Sequence, residues 1–246
     1  MPDMDLDRSP LARPFPDLPP IDGATPRVAR ARYKEWDRCD LTLVEFAEGT
    51  AVAGLFTKSA CASPEVEAGR VQIGGGRARA LVVNAGNSNA FTGAAGREAV
   101  EQIQAQVAEG LGCEAHEVFV SSTGVIGVPL PKDKARAGVD AALAAEPCDW
   151  LEVARAIGTT DTFEKGAHAS AFIGDTEVRL IGVIKGRGMI APDMATMLGY
   201  VVTDAAIEPA LLRELLSEAN GPSFGSITVD SDTSTSDTVL AFGTGT

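Results

Sequence analysis

The 246-residue sequence predicts an α/β sandwich, and three observations carry that expectation. Apolar runs alternate irregularly with amphipathic stretches, several apolar runs end in loops of small polar residues, and no internal repeat is visible. A tidy parallel βαβ array would space its elements regularly; a layered arrangement need not. In chain order, "DLTLVEF" (residues 40–46) alternates as a half-buried strand does, and "TAVAGLFT" beyond the turn "AEG" reads as its hairpin partner. "RARALVVNAGNSNAF" runs from an apolar strand into a polar loop at Asn84 to Asn89. "GREAVEQIQAQVAEGLG" sets Val100, Ile103, Val107 and Leu111 at helical spacing and closes on Gly110 and Gly112. "EVFVSSTGVIG" is again a strand meeting small residues. "PKDKARAGVDAALAAEP" reads as a helix bounded by prolines, with a shorter one in "DWLEVARAIG". "EVRLIGVIK" and "LGYVVTDA" are strands on either side of a glycine- and proline-punctuated segment, and "EPALLRELLSEANG" is the final helix. "TVLAFGTG" reads as a strand.

Composition narrows the function classes. Twenty-one basic against thirty-four acidic residues give a net charge of −13, a field that repels nucleic acid and anionic lipid surfaces. Neither a nucleic-acid nor a membrane partner is expected, and an anionic substrate needs a local cation. The proline-rich acidic start reads as a flexible leader over residues 1–21, ahead of one domain over residues 22–246. No apolar run approaches the roughly 18 residues of a membrane span, and a cytoplasmic location is expected. Cys39, Cys61, Cys113 and Cys148 lack CxxC spacing and read as reduced core thiols. With only His116 and His168 beside them, no metal centre is expected.

Three stretches could carry chemistry. Gly186 to Ala191 matches GxGxxA, with Asp204 near the offset of a ribose-binding acid, but Pro192 leaves no room for the crossover helix of a dinucleotide site. In "ITVDSDTSTSD", Asp230, Asp232 and Asp237 offer hard oxygen ligands, although the spacing fits no calcium loop, and a polar loop rich in side-chain to backbone bonds is the plainer reading. No GxSxG supports a serine triad. A threonine made N-terminal by a backbone break can instead use its own α-amine as base, since that amine has an unperturbed pKa of about 7.7–8.0. Thr196, after the small Ala195 in "PDMATML", suits that route without being singled out by composition.

"KGRGMIAPDMATMLGYVVTDA" resembles the self-cleavage segment of the ornithine acetyltransferase family, also called the glutamate N-acetyltransferase family of arginine biosynthesis. "ALVVNAGNSNAFTG", "VFVSSTGVIGVPLPKDK", "AIGTTDTFEKGA" and "ITVDSDTSTSDTVL" follow the family's order, and the likeness runs from about residue 22 to the end. The resemblance implies a layered α/β sandwich of the self-processing N-terminal-nucleophile acetyltransferase and aminopeptidase type. It implies cleavage between Ala195 and Thr196, giving an α chain to residue 195 and a β chain from residue 196. Thr196 would be the nucleophile in both cleavage and acyl transfer. Thr123 and Gly124 match the oxyanion-stabilising pair, while Thr159 or Thr160, Lys185 and Thr196 match substrate-binding positions. Lys185 would supply the cation that a substrate carboxylate needs. The implied reaction moves acetyl from N2-acetylornithine to glutamate through an acetyl-threonine, without metal or organic cofactor; some members also use acetyl-CoA. An α2β2 heterotetramer is implied as well. Arg187 and Asp193 stand where the family commonly has a small residue and asparagine. Family chains continue beyond "TVLAFGTGT" into a substrate-binding glutamate and an asparagine/threonine pair, so the resemblance implies a truncated β chain, with residues 222–246 packed less well than the core and "TVLAFGTG" left as a strand with an exposed apolar edge. An N-terminal-nucleophile aminopeptidase or amidase, and an inactive remnant, are the competing readings.

Overall fold

Period-two alternation decides which sheet face each apolar side chain serves. In the computed structural model, residues 8–190 and 197–246 are described. One sheet has the order β1-β2-β4-β5, from β1 (Ala24–Ala29), β2 (Leu41–Phe46), β4 (Ala80–Asn87) and β5 (Val118–Val125). The other has the order β3-β9-β8-β7-β6, from β3 (Ala51–Phe56), β6 (Lys165–Ile173), β7 (Thr176–Lys185), β8 (Leu198–Thr203) and β9 (Thr238–Gly243). Val44, Phe46, Leu81 and Val83 of the first sheet face Leu240, Phe242, Tyr200 and Val202 of the second in one buried core. The Phe46 and Phe242 rings stack across the gap, with centroids 4.3 Å apart.

Residues one step out of phase serve the outer layers. Leu43, Val82, Val118 and Val120 pack beneath α2 (Gly93–Leu111) and α3 (Lys132–Leu143) through Val100, Ile103, Val107 and Val139. On the far side, Ala51, Ala53, Val239 and Ala241 pack beneath Leu212 and Leu216 of α5 (Pro209–Asn220). The fold is therefore the expected layered α/β sandwich. Between the sheets sits α4 (Trp150–Ile157), which puts Trp150, Val153 and Ile157 into the central core. Asp149 caps it by accepting the Glu152 N–H at 2.9 Å. α1 (Pro64–Gln72) packs against α2 and β5.

Three expectations need correction. β2 and β3 are not a hairpin: β2 pairs with β1 and β4, while β3 pairs with β9, so the short turn at Ala47–Thr50 crosses from one sheet to the other. β9 is not an exposed edge, because it runs antiparallel to β3 and parallel to β8 and every one of its residues is buried. The four cysteines are free, yet none is buried, and Cys61 is exposed. Residues 8–21 contain no helix or strand, and Phe15, Leu18 and Ile21 of that stretch pack on the central core.

Candidate active site

β4 and β5 are parallel, so their C-terminal ends meet on the same side of the sheet, and the ladder breaks there in a bulge at Gly86 and Asn87 opposite Thr123 to Val125. Gly124 has φ +134°, and a Cβ on it would lie 2.3 Å from the Gly86 carbonyl carbon and 2.6 Å from the Asn87 nitrogen. Only glycine allows the two backbones this approach. The polar loop after β4 braces the bulge: Ser122 Oγ donates to Asn84 Oδ1 at 2.7 Å, Asn84 Nδ2 to the Asn87 carbonyl at 2.7 Å, and Ser88 Oγ to the Val125 carbonyl at 2.9 Å. These bonds leave Thr123 buried and Gly124 exposed at the rim.

Lys185, the last residue of β7, reaches this point from the other sheet. Its Nζ donates to Thr123 Oγ1 at 2.8 Å, although the side chain is only 3% exposed. Burial pushes the ammonium below its usual pKa, against the opposing pull of Asp161 and Asp237. Asp161 fixes the loop after α4 onto the same strand end, accepting the Gly186 N–H at 2.8 Å and Lys165 Nζ at 2.6 Å. Burial alone would raise that carboxyl, but Lys165, Lys185 and the Gly186 N–H outweigh it and hold it below the usual range. Thr159 and Thr160 lie on this loop, and Arg187 Nη1 donates to the Thr160 carbonyl at 3.4 Å.

Thr123, Gly124, Thr159, Thr160 and Lys185, distant in sequence, thus line a single open cavity of about 820 Å³. Ala195, Thr196 and Asp193 lie outside the described residues. The chain resumes at Met197, buried, and Leu198 pairs with Lys185 in the β7–β8 ladder. Gly188 and Met189, just upstream of the undescribed segment, line the cavity too. A lysine ammonium bonded to a threonine oxygen leaves the hydroxyl proton free to donate elsewhere, and chained hydrogen bonds strengthen one another. The arrangement can offer a charge-backed O–H donor beside a glycine backbone.

Sequence reasoning did not single out Asp161, and it read Asp237 only as a possible cation ligand or loop polar. Both lay inside quoted motifs, "TTDTFEK" and "VDSDTSTSD", and what set them apart was burial rather than composition. Asp230 and Asp237 do not converge on a common point: Asp230 accepts the Ile190 N–H at 2.8 Å, whereas Asp237 accepts the Met197 N–H at 2.9 Å. Asp204 accepts the Arg179 N–H at 2.7 Å, a backbone partner rather than a ribose.

Two facing sheets between helical layers, with a hydroxyl-lined cavity at the strand ends, define a fold of the N-terminal-nucleophile hydrolase kind. An aminopeptidase from Ochrobactrum anthropi, described as a variant of that fold, superposes with a TM-score of 0.52 over 91% of this chain and 72% of its own, at 12% identity, a likeness of fold alone. Residues 26–246 match the ArgJ family, and the chain belongs to it. It is 61% identical over 237 residues to the arginine biosynthesis bifunctional protein ArgJ of Zymomonas mobilis and 51% identical over 240 to that of Agrobacterium fabrum. Each alignment takes in 96% of this chain and 58% of the relative, so the chain spans a little over half the length of the curated relatives it matches. The crystal structure of ArgJ from Bacillus halodurans superposes with a TM-score of 0.62 over 71% of this chain and 92% of its own, at 30% identity. Ornithine acetyltransferase from Mycobacterium tuberculosis, in complex with ornithine, gives 0.58 over 70% and 92%, also at 30% identity.

Proposed function

We propose that this chain is the α part and the start of the β part of a self-cleaving acetyltransferase, which moves acetyl from N2-acetylornithine to glutamate through an acetyl-threonine at Thr196. The observation that carries this reading is the meeting of Thr123, Gly124, Thr159, Thr160 and Lys185 around one cavity, with Lys185 Nζ bonded to Thr123 Oγ1. Family membership and the ornithine bound to the mycobacterial relative support the substrate class. Acetyl-CoA as a second donor, an α2β2 assembly and a cytoplasmic location belong to the same proposal.

The chemistry follows from the donors. Thr123 Oγ1 accepts from Lys185, so its own proton is available to an oxygen gaining negative charge, with the Gly124 N–H as the second donor. Thr159 and Thr160, which line the same cavity, hold polar groups of the substrate. Cleavage frees the α-amine of Thr196, which then takes the hydroxyl proton as Oγ attacks the acetyl carbonyl and ornithine departs. Glutamate attacks the resulting ester and leaves as the N-acetyl product, restoring the hydroxyl.

The test uses a chain of the relatives' length. Thr196→Ala is expected to abolish both the splitting into two chains, read by intact mass, and acetyl transfer from N2-acetylornithine to glutamate. Thr196→Ser retains a hydroxyl and is expected to split, more slowly. A Thr196→Ala chain that still splits after Ala195 would falsify the assignment.

A further inference from the structure

The loop that carries Thr159 and Thr160 is fixed at both ends. Where it leaves α4, Arg38 donates to the Arg155 and Gly158 carbonyls, each at 2.6 Å, and so satisfies the C-terminal end of the helix. Where it meets the end of β7, Asp161 turns inward with only 8% of its side chain exposed. Asp161 Oδ1 accepts the Gly186 N–H at 2.8 Å and Lys165 Nζ at 2.6 Å, and Oδ2 accepts the Thr159 N–H at 3.4 Å. Lys165 opens β6 and pairs with Ile184, the neighbour of Lys185 on β7. One carboxylate thus ties the threonine loop to the strand end that presents Lys185. An asparagine oxygen would serve the backbone N–H groups equally, and taking an ionised carboxylate out of water is costly. Lys165 is 26% exposed and has water to turn to, whereas Lys185 is 3% exposed and has not.

We infer that Asp161 is a positioning residue for the acetyl transfer proposed above: it holds the Thr159–Thr160 loop against the end of β7 and supplies the negative charge that keeps the buried Lys185 nitrogen an ammonium, able to donate to Thr123. The inference rests on that proposed reaction, in which Thr123 offers its proton to an oxygen gaining negative charge. An ammonium donates to Thr123 Oγ1, at 2.8 Å, and leaves the hydroxyl hydrogen free to point elsewhere. A neutral amine can accept that hydrogen instead, which turns the hydroxyl away from the oxyanion. The charge on Lys185 therefore decides which way the hydroxyl donates, and Asp161 sustains that charge.

The groups around Lys185 set the balance. Burial pushes its ammonium down; Asp161 from the loop after α4 and Asp237 from the loop before β9 oppose burial, Asp161 more strongly, while Lys165 of β6 adds to the downward push. Burial would raise Asp161 itself, but Lys165, Lys185 and the Gly186 N–H hold it below the usual carboxylate range, and Arg38 faces it as well. Asp237, by contrast, is pushed up to about 7, chiefly by burial, so its charge is partial near neutral pH. Asp161 is the carboxylate that stays charged throughout.

Two substitutions in a chain of the relatives' length test this with opposite signs. Asp161→Asn keeps an oxygen for the Gly186 N–H and removes the charge. It is expected to lower kcat for acetyl transfer from N2-acetylornithine to glutamate about tenfold and to move the alkaline limb of the kcat–pH profile to lower pH, with Asp161→Glu restoring part of both. Lys165→Met removes the like charge and is expected to move the same limb to higher pH. A role confined to holding the loop would lower activity by the same factor at every pH. An unmoved limb in Asp161→Asn, or a wild-type profile without an alkaline limb, therefore overturns the inference and leaves the proposed function standing. Should Asp161→Asn fail to fold, Lys165→Met decides alone, and a limb at or below the wild-type position overturns the inference. A wild-type chain of that length that transfers no acetyl overturns both.

Discussion

Thr123 shows how much a single hydroxyl can be asked to do. It ends the regular part of β5, is held by the bulge that Gly124 permits, and receives the only hydrogen bond described for the Lys185 ammonium. Thr123→Ala therefore has two expected consequences of different size. If Thr123 is the oxyanion donor of the proposed reaction, its removal is expected to slow acetyl transfer by a chain of the relatives' length about 10²–10³-fold. Leaving Lys185 without its hydroxyl partner is expected to cost about 1–3 kcal/mol of stability with the fold retained, because the buried ammonium still has Asp161 and Asp237 nearby. Urea unfolding and a transfer assay on the same preparation check both. A loss of stability without a loss of rate would move Thr123 out of the chemistry.

Among the elements, α1 carries a buried carboxyl that ties it to the loop after β4. Glu65 Oε1 accepts from Ser63 Oγ at 2.7 Å and Oε2 from Asn89 Nδ2 at 3.3 Å, while Asn89 Nδ2 also reaches the Gly96 carbonyl at 3.1 Å. Burial raises Glu65 from 4.5 to about 7 despite these donors. The folded state thus holds this proton more tightly than the unfolded chain. The group's contribution to stability is complete below about 4.5 and is lost as pH rises to about 7, on the order of 3 kcal/mol over that window. Glu65→Gln removes the titration, so the variant is expected to gain on the wild type in thermal stability as pH rises through the same window. A constant difference in Tm at both ends would contradict this. α1 was also one of the elements that sequence reading passed over, with β1 and β6. α1 is short and interrupted by Gly69, and β6, "KGAHASAFI", has little period-two contrast because nearly all of it is exposed. Helices α2, α3, α4 and α5 were legible because caps, prolines and apolar spacing are local signals. The β2–β3 pairing and the fate of β9 were not, since strand alternation states which residues face a core without stating which strand lies alongside. The convergence of the described candidates Thr123, Gly124, Thr159, Thr160 and Lys185 on one cavity was legible for a different reason: their motifs sit at the ends of elements, and the cavity forms where those ends meet. Only Asp161 and Asp237 needed the fold itself, because burial distinguishes them from the aspartates around them.

Across the molecule, helical cover is uneven. α2 and α3 lie over the outer face of the first sheet, whereas α5 lies chiefly over β3 and leaves the β6–β7 side of the second sheet open. Phe172 is 71% exposed and Ile173 59%, with Leu180 and Leu215 also open to solvent, and an apolar groove of about 470 Å³ runs between the β6–β7 face and α5. Among the described residues no strand pairs with the outer edge of β6, and such an edge beside this apolar surface is a combination that invites association between chains. The alignment takes in 58% of the Zymomonas mobilis relative, and we propose that the remaining length of a relative-sized chain covers this face. The buried β9 redirects the expectation: the surface in want of cover is β6, β7 and the open side of α5, not the strand near residue 246. Extending the chain to its relatives' length is expected to raise Tm and suppress self-association in light scattering. Phe172→Ser with Ile173→Thr in the 246-residue chain is expected to reproduce the gain in dispersity without the gain in Tm, because polar residues remove the sticky surface but supply no packing. If the extended chain melts at the same temperature and associates as before, the exposed face is the natural surface of a finished domain.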